Sequence, residues 1–141
     1  MLKKILFAGE SGLSPLANIG LTLLRGFTGT AMAFGHGIGK LPVSDGFVEN
    51  VAKIGFPIPT FFAWAAALSE FACGILLALG LFTRLSSFFI GITMLVGLLG
   101  VHFSDPFAKQ EKAFLFLFIA LLFLFKGAND WSLDSIFRGK R

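Results

Sequence analysis

Phe61 to Leu81 is an apolar run broken by a single formal charge, Glu70, near its middle. About 20 apolar residues in a helix cover the roughly 30 Å hydrocarbon thickness of a bilayer, and this run meets that length. A carboxylate at such depth costs about 2.5 kcal/mol or more, so it must face the interior of a helix assembly and hold a partner or a proton. Glu70 is therefore the first candidate functional residue. The alternative is a neutral glutamic acid that only pins helices together.

The rest of the chain belongs to the same solvent. Charged residues are 14% of the 141, mean hydropathy is +0.82, and there are 19 Phe and no Tyr. A soluble domain carries about 25% charge. The composition leaves nothing over for a soluble domain, so residues 1–141 read as one transmembrane domain in contact with lipid. The pI of 9.6 does not point to nucleic acid, because the basic residues lie at helix ends and tails, where they meet headgroups and set topology. The opening Met1-Leu-Lys-Lys-Ile-Leu-Phe is too short for a signal-peptide core and reads as an interfacial segment.

The pattern predicts an all-α polytopic membrane protein with a four-helix transmembrane bundle. Asn18 is a candidate cap for a first span of about residues 19–38, which ends in Gly35, Gly37, Gly39 and Pro42. Pro57 and Pro59 introduce a second span over 60–81. Phe82-Thr83-Arg84 is a tight link to a third, 85–102. The last apolar run, Ala113 to Phe125, is too short to cross alone, so the fourth span must begin near Pro106 and occupy 106–126. That places Lys109, Glu111 and Lys112 at the membrane edge. The long loop Leu41–Pro59 contains a short amphipathic helix capped by Ser44, with Phe47, Val48, Val51 and Ile54 on one face, lying as a lid over the mouth.

Lys3, Lys4, Arg84, Lys126, Arg138, Lys140 and Arg141 fall on the side of the termini, and only Lys40, Lys53, Lys109 and Lys112 fall opposite. The positive-inside rule then puts both termini in the cytoplasm of a multi-pass inner-membrane protein.

The other intramembrane polar residues complete the candidate site. Arg25, Gly29, Met32 and His36 follow spacings of four, three and four, a stripe on one helix face that Lys40 extends if the helix continues. Arg25 either pairs with Glu70, aided by close approach at Gly26, Gly29 and Gly74, or snorkels to headgroups. His36 and His102 share a level, where they either exchange protons with the outside or contact headgroups separately. In the proton-handling reading Glu70, His36 and His102 are catalytic, and Arg25, Lys40 and Arg84 are the basic contacts for a substrate. Cys73 is the only cysteine, which excludes an intrachain disulfide. No metal site and no covalently bound cofactor is expected, and axial ligation of a haem would need His36 and His102 to face each other.

Leu24-Arg25-Gly26 through Gly29 to Gly35-His36-Gly37-Ile38-Gly39-Lys40-Leu41 resembles the first-helix signature of the DoxX family of small bacterial membrane proteins. The likeness continues through Gly55-Phe56-Pro57-Ile58-Pro59, Glu70 with Gly74 and Gly80, Thr83-Arg84, Val101-His102 and Trp131-Ser132-Leu133-Asp134. The family ending usually has a second glycine where this chain has Ala128-Asn129-Asp130 after Gly127. The resemblance implies a four-helix membrane protein. It also implies kinship with subunits of quinone-linked oxidoreductases, a thiosulfate:quinone enzyme among them.

Residues and resemblance together favour a quinone-linked or redox-partner membrane subunit, with the lipid bilayer, a quinone and a redox protein as its partners. A non-catalytic scaffold or assembly partner is the second reading. A small-solute carrier is the third, and the chain lacks the paired broken helices that would favour it.

Overall fold

The computed structural model describes residue 7 and residues 9–138, so Met1–Leu6 with Lys3 and Lys4, and Lys140 and Arg141, lie outside the described residues. Helix α1 (Pro15–Thr30) continues into a π-helical turn, Ala31–Gly37, and a 3₁₀ turn, Ile38–Lys40. It is followed by α2 (Asp45–Ile54), α3 (Pro59–Leu79), α4 (Thr83–Gly100), α5 (Phe107–Lys126) and the short α6 (Leu133–Arg138). Among the described residues the only extended pairing is a single bridge between Gly9 and Ala128.

The helix ends follow local chemistry. Ser14, not Asn18, caps α1: its hydroxyl accepts from the Ala17 N–H at 3.2 Å, and Pro15 takes the first turn, where its missing N–H costs nothing. Helix α2 forms as the sequence predicts, with the Ser44 hydroxyl accepting from Phe47 N–H and Gly55 closing it at φ 100°. Gly80 ends α3 at φ 68°, with Leu81 N–H returning to Leu76 O at 2.9 Å. Helix α5 starts after Pro106 and runs 20 residues, a rise of about 30 Å, with Lys109, Glu111 and Lys112 exposed on its first two turns.

Helices α3 and α4 are long and apolar enough to cross a membrane. Large apolar side chains cover the surface, and several polar ones lie inside beside the apolar core. Leu23, Phe27, Phe103, Phe118 and Phe125 are each more than 60% exposed, while Asn18, Arg25, Ser69, Glu70, Asn129 and Asp134 are buried. Water would penalise both halves of that arrangement, and a hydrocarbon surround would favour both.

Helix α1 packs on α3, α3 on α4, and α4 on α5. Met32, Leu77, Ile90, Ala120 and Phe123 meet at the centre. The α1–α3 contact is a seam of small residues. A Cβ built on Gly29 would run into Gly74 O and Ala78 N, one on Gly74 would stand 2.8 Å from Ala33 N, and one on Gly37 would strike Phe71 N. Gly26, by contrast, faces open space. Gly37 meets Glu70 and Phe71, 11 residues past Pro59, so α1 ends well short of the level at which α3 begins. Helix α2 also packs on α3, with Val51 buried and Ile54 against Gly100 at the end of α4.

Candidate functional site

Glu70 lies in the middle of α3 at 2% exposure, on the face against which Gly37 rests. Three residues beyond Gly37, Lys40 is on the same side of the chain and reaches the carboxylate. Its Nζ lies 2.5 Å from Oε1 and 2.6 Å from Oε2 of Glu70. The buried carboxylate therefore has a partner, which is what its depth demands. That partner is the residue the sequence placed at the end of the polar stripe, and not Arg25.

The pair is unequal in exposure. The Lys40 side chain is 33% exposed and Glu70 is 2% exposed. An ammonium has three N–H donors, of which Glu70 engages two, leaving one directed elsewhere. The Phe47 ring of α2 lies 5.5 Å from Nζ, so the lid helix supplies an aromatic wall to the cation.

Arg25 is buried at 2% exposure and does something else. Its two terminal nitrogens donate to Leu77 O and Ala78 O, each at 3.0 Å, and to Trp131 O at 2.8 Å. It neither snorkels nor pairs with Glu70, whose position on α3 is about 10 Å up the helix from Leu77. A cation on the last carbonyls of a helix satisfies both their lone pairs and the negative end of its dipole. Arg84 repeats the device on α5, donating to Phe125 O at 2.9 Å. Both arginines are thus committed to helix ends.

The two histidines are separated in their contacts. His36 is exposed and packs edge-on against Phe116 of α5, with ring centroids 5.4 Å apart. His102 lies beyond α4 and bonds Asp105 through Nδ1 at 2.7 Å. That hydrogen bond, helped by Lys109, holds the Asp105 carboxyl below the usual carboxylate range. Gln110 clamps the same loop through the carbonyls of His102 and Asp105. Each histidine has its own partner. Among the described residues, no three His, Cys, Asp or Glu side chains gather around a point where an ion could sit.

A second polar cluster escaped the sequence reading. Asp134, fully buried, accepts from Phe82 N–H at 2.8 Å and Thr83 N–H at 2.9 Å, capping α4 from the far end of the chain. Asn129 donates to Asn18 Oδ1 and Thr22 Oγ1, and Asp130 accepts from Asn18 Nδ2 at 3.0 Å and from Leu13 N–H at 3.2 Å. The Asn18 bond and these backbone donors hold the Asp130 carboxyl below its ordinary value. The cluster's sequence signals were the cap-forming Asn129, Asp130, Ser132 and Asp134 after the last long helix, the last two within the Trp131-Ser132-Leu133-Asp134 likeness noted above.

The chain is similar to several known proteins. A Bacillus subtilis (strain 168) protein named "Putative oxidoreductase CatD" is 30% identical over 125 residues, covering 87% of this chain and 91% of that protein. The "Inner membrane protein YphA" of Escherichia coli (strain K12) is 37% identical over 70 residues, 49% of this chain and 50% of that protein. The "Uncharacterized membrane protein Rv3486" of Mycobacterium tuberculosis is 33% identical over 96 residues, 58% of this chain and 59% of that protein. No solved structure matches the chain. The DoxX family model matches residues 20–103, which hold the glycine seam, Lys40 and Glu70, and the chain belongs to the DoxX family.

Proposed function

We propose that this protein is a four-span inner-membrane protein with both termini in the cytoplasm, serving as a quinone-linked or redox-partner subunit in which Lys40 and Glu70 handle protons. The observation that carries the reading is the two-pronged Lys40–Glu70 contact, a buried carboxylate reached through a cation that is itself partly open. Support for the membrane placement comes from the outward apolar surface, from α3 and α4, and from the basic residues gathered toward the termini. The name of the Bacillus subtilis relative supports an oxidoreductase role.

The donor set at Lys40 supports a quinone headgroup as the ligand. The third N–H of Lys40 suits a ring carbonyl oxygen, and the Phe47 face suits a flat ring. A quinone takes two electrons, here from the redox partner, and two protons to become the quinol. Lys40 would direct a proton toward the ring oxygen while Glu70 holds the ammonium in position. Reloading would come from the loop side, where the Lys40 side chain is one-third exposed and where exposed His36 and half-buried His102 could relay protons.

The test is quinone-dependent turnover with the native partner, beside extraction of purified protein for bound quinone. Folded Glu70→Gln and Lys40→Met proteins should lose turnover. A stable, fully active Glu70→Gln protein would overturn the reading in favour of a scaffold, a role that the burial of Glu70 behind Lys40 would also serve.

A further inference from the structure

Gly29 and Gly37 both press against α3, Gly29 at Gly74 and Ala78 and Gly37 at Glu70 and Phe71. They are eight residues apart. In an unbroken α-helix a spacing of eight leaves two residues about 80° apart around the axis, whereas seven brings them within about 20°. An unbroken helix would therefore set His36 in line with Gly29, as the 3.6-residue period predicts. The structure has His36 exposed and Gly37 buried instead. The π turn Ala31–Gly37 accounts for the difference, because an i→i+5 turn accommodates one residue more than an α turn.

We propose that this π turn is a register device that selects Lys40 rather than His36 as the cation reaching Glu70, with Gly37 as the positioning residue. Gly37 leaves room for the backbone of Glu70 and Phe71 to lie against the turn, and Lys40 follows at the distance its stem can bridge. A side chain at position 37 would push the end of α1 off α3 and withdraw the ammonium. The inference concerns the geometry of the pair, and it rests on the proton-handling reading only for its functional consequence.

The measurement is the rate at which an amine-acylating reagent modifies Lys40 in the purified full-length chain, read by mass spectrometry with exposed Lys109 and Lys112 as internal references. Glu70→Gln sets the rate of an unpaired Lys40. Gly37→Ala should label Lys40 severalfold faster than wild type, approaching that rate. Gly35→Ala, whose added Cβ meets nothing, should behave as wild type. Deleting Gly35 removes the extra residue of the π turn, restores a regular helix and leaves both flanks in place. That protein should fold and keep the slow wild-type rate. A deletion protein that does not fold, or that labels at the Glu70→Gln rate, overturns the register device, as does a folded Gly37→Ala protein with the wild-type rate. If Gly37→Ala does not accumulate, the deletion decides alone. Equal rates in wild type and Glu70→Gln would instead remove the pair itself, and with it the proposed function.

Discussion

Arg25 and Asp134, opposite charges buried to 2% and 0% exposure, cap the two facing ends of one tight hairpin. Arg25 binds the carbonyls of Leu77 and Ala78 where α3 stops, and Asp134 binds the N–H groups of Phe82 and Thr83 where α4 starts. Each charge meets the helix end whose dipole it complements, so one hairpin uses both signs. Between them Phe82 holds a left-handed backbone at φ 49°, and Asp134 N–H bonds Gly80 O at 2.8 Å.

Arg25→Met should lower stability in detergent by about 3 kcal/mol, because one buried and two part-buried carbonyls lose a charged donor. Arg25→Lys should restore only part of this, since one ammonium does not reproduce the planar fork that spans α3 and Trp131. Asp134→Asn keeps one acceptor of two and should cost less, about 1–2 kcal/mol. Thermal unfolding midpoints of the purified variants check the order.

Lys40→Met should be worse than Glu70→Gln. Removing the lysine strands a carboxylate of 2% exposure, which costs about 3 kcal/mol at the low end for a broken buried pair. Removing the carboxylate charge leaves a lysine that is one-third exposed and turns to water, at about 1 kcal/mol. A Lys40→Met, Glu70→Gln double variant should recover most of the loss. Chemical unfolding of the four proteins gives the coupling directly.

Acid should loosen the knot around Asp130 only at low pH. Its folded pKa lies below the ordinary carboxylate value, chiefly through the Asn18 bond. The stability it contributes is present above the unfolded value of about 3.9 and is lost as pH falls through the lower folded value. The unfolding midpoint should therefore hold from pH 7 to about 4, then drop by an amount that Asp130→Asn removes. An equal drop in that variant would assign the acid response to other groups.

Two exposed positions on α2, introduced as Asp45→Cys or Glu49→Cys in a Cys73→Ser background, should each react with an impermeant thiol reagent added to whole spheroplasts. Labelling only after the cytoplasmic side is opened would invert the topology.

The helices were legible in the sequence because their length, apolar content and Gly or Pro boundaries are local properties. The lid helix is a clear instance, with Ser44 and Gly55 at its two ends. Close approach at Gly29 and Gly74 was legible too, though Gly26 was not part of it. Arg25 was weighed as the partner of Glu70 because it lies inside the first apolar run; Lys40, which the same stripe reaches, lies at the far end of that run, and nothing in Ala31–Gly37 announces the π turn that precedes it. Asn18 was taken for a cap because its residue type suits one. Its actual partners, Asn129 and Asp130, lie more than 100 residues along the chain, beyond any local signal.

Asp134 follows the hairpin it caps by about 50 residues. During synthesis α1, α3 and α4 therefore emerge before their last caps have been made. Until Trp131 arrives, Arg25 lacks one of its three acceptors, and until Asp134 arrives the start of α4 has two open donors. A chain interrupted after α5 contains every long helix yet holds a buried cation and an open helix end. The stretch 131–134 thus ties together helices made well before it.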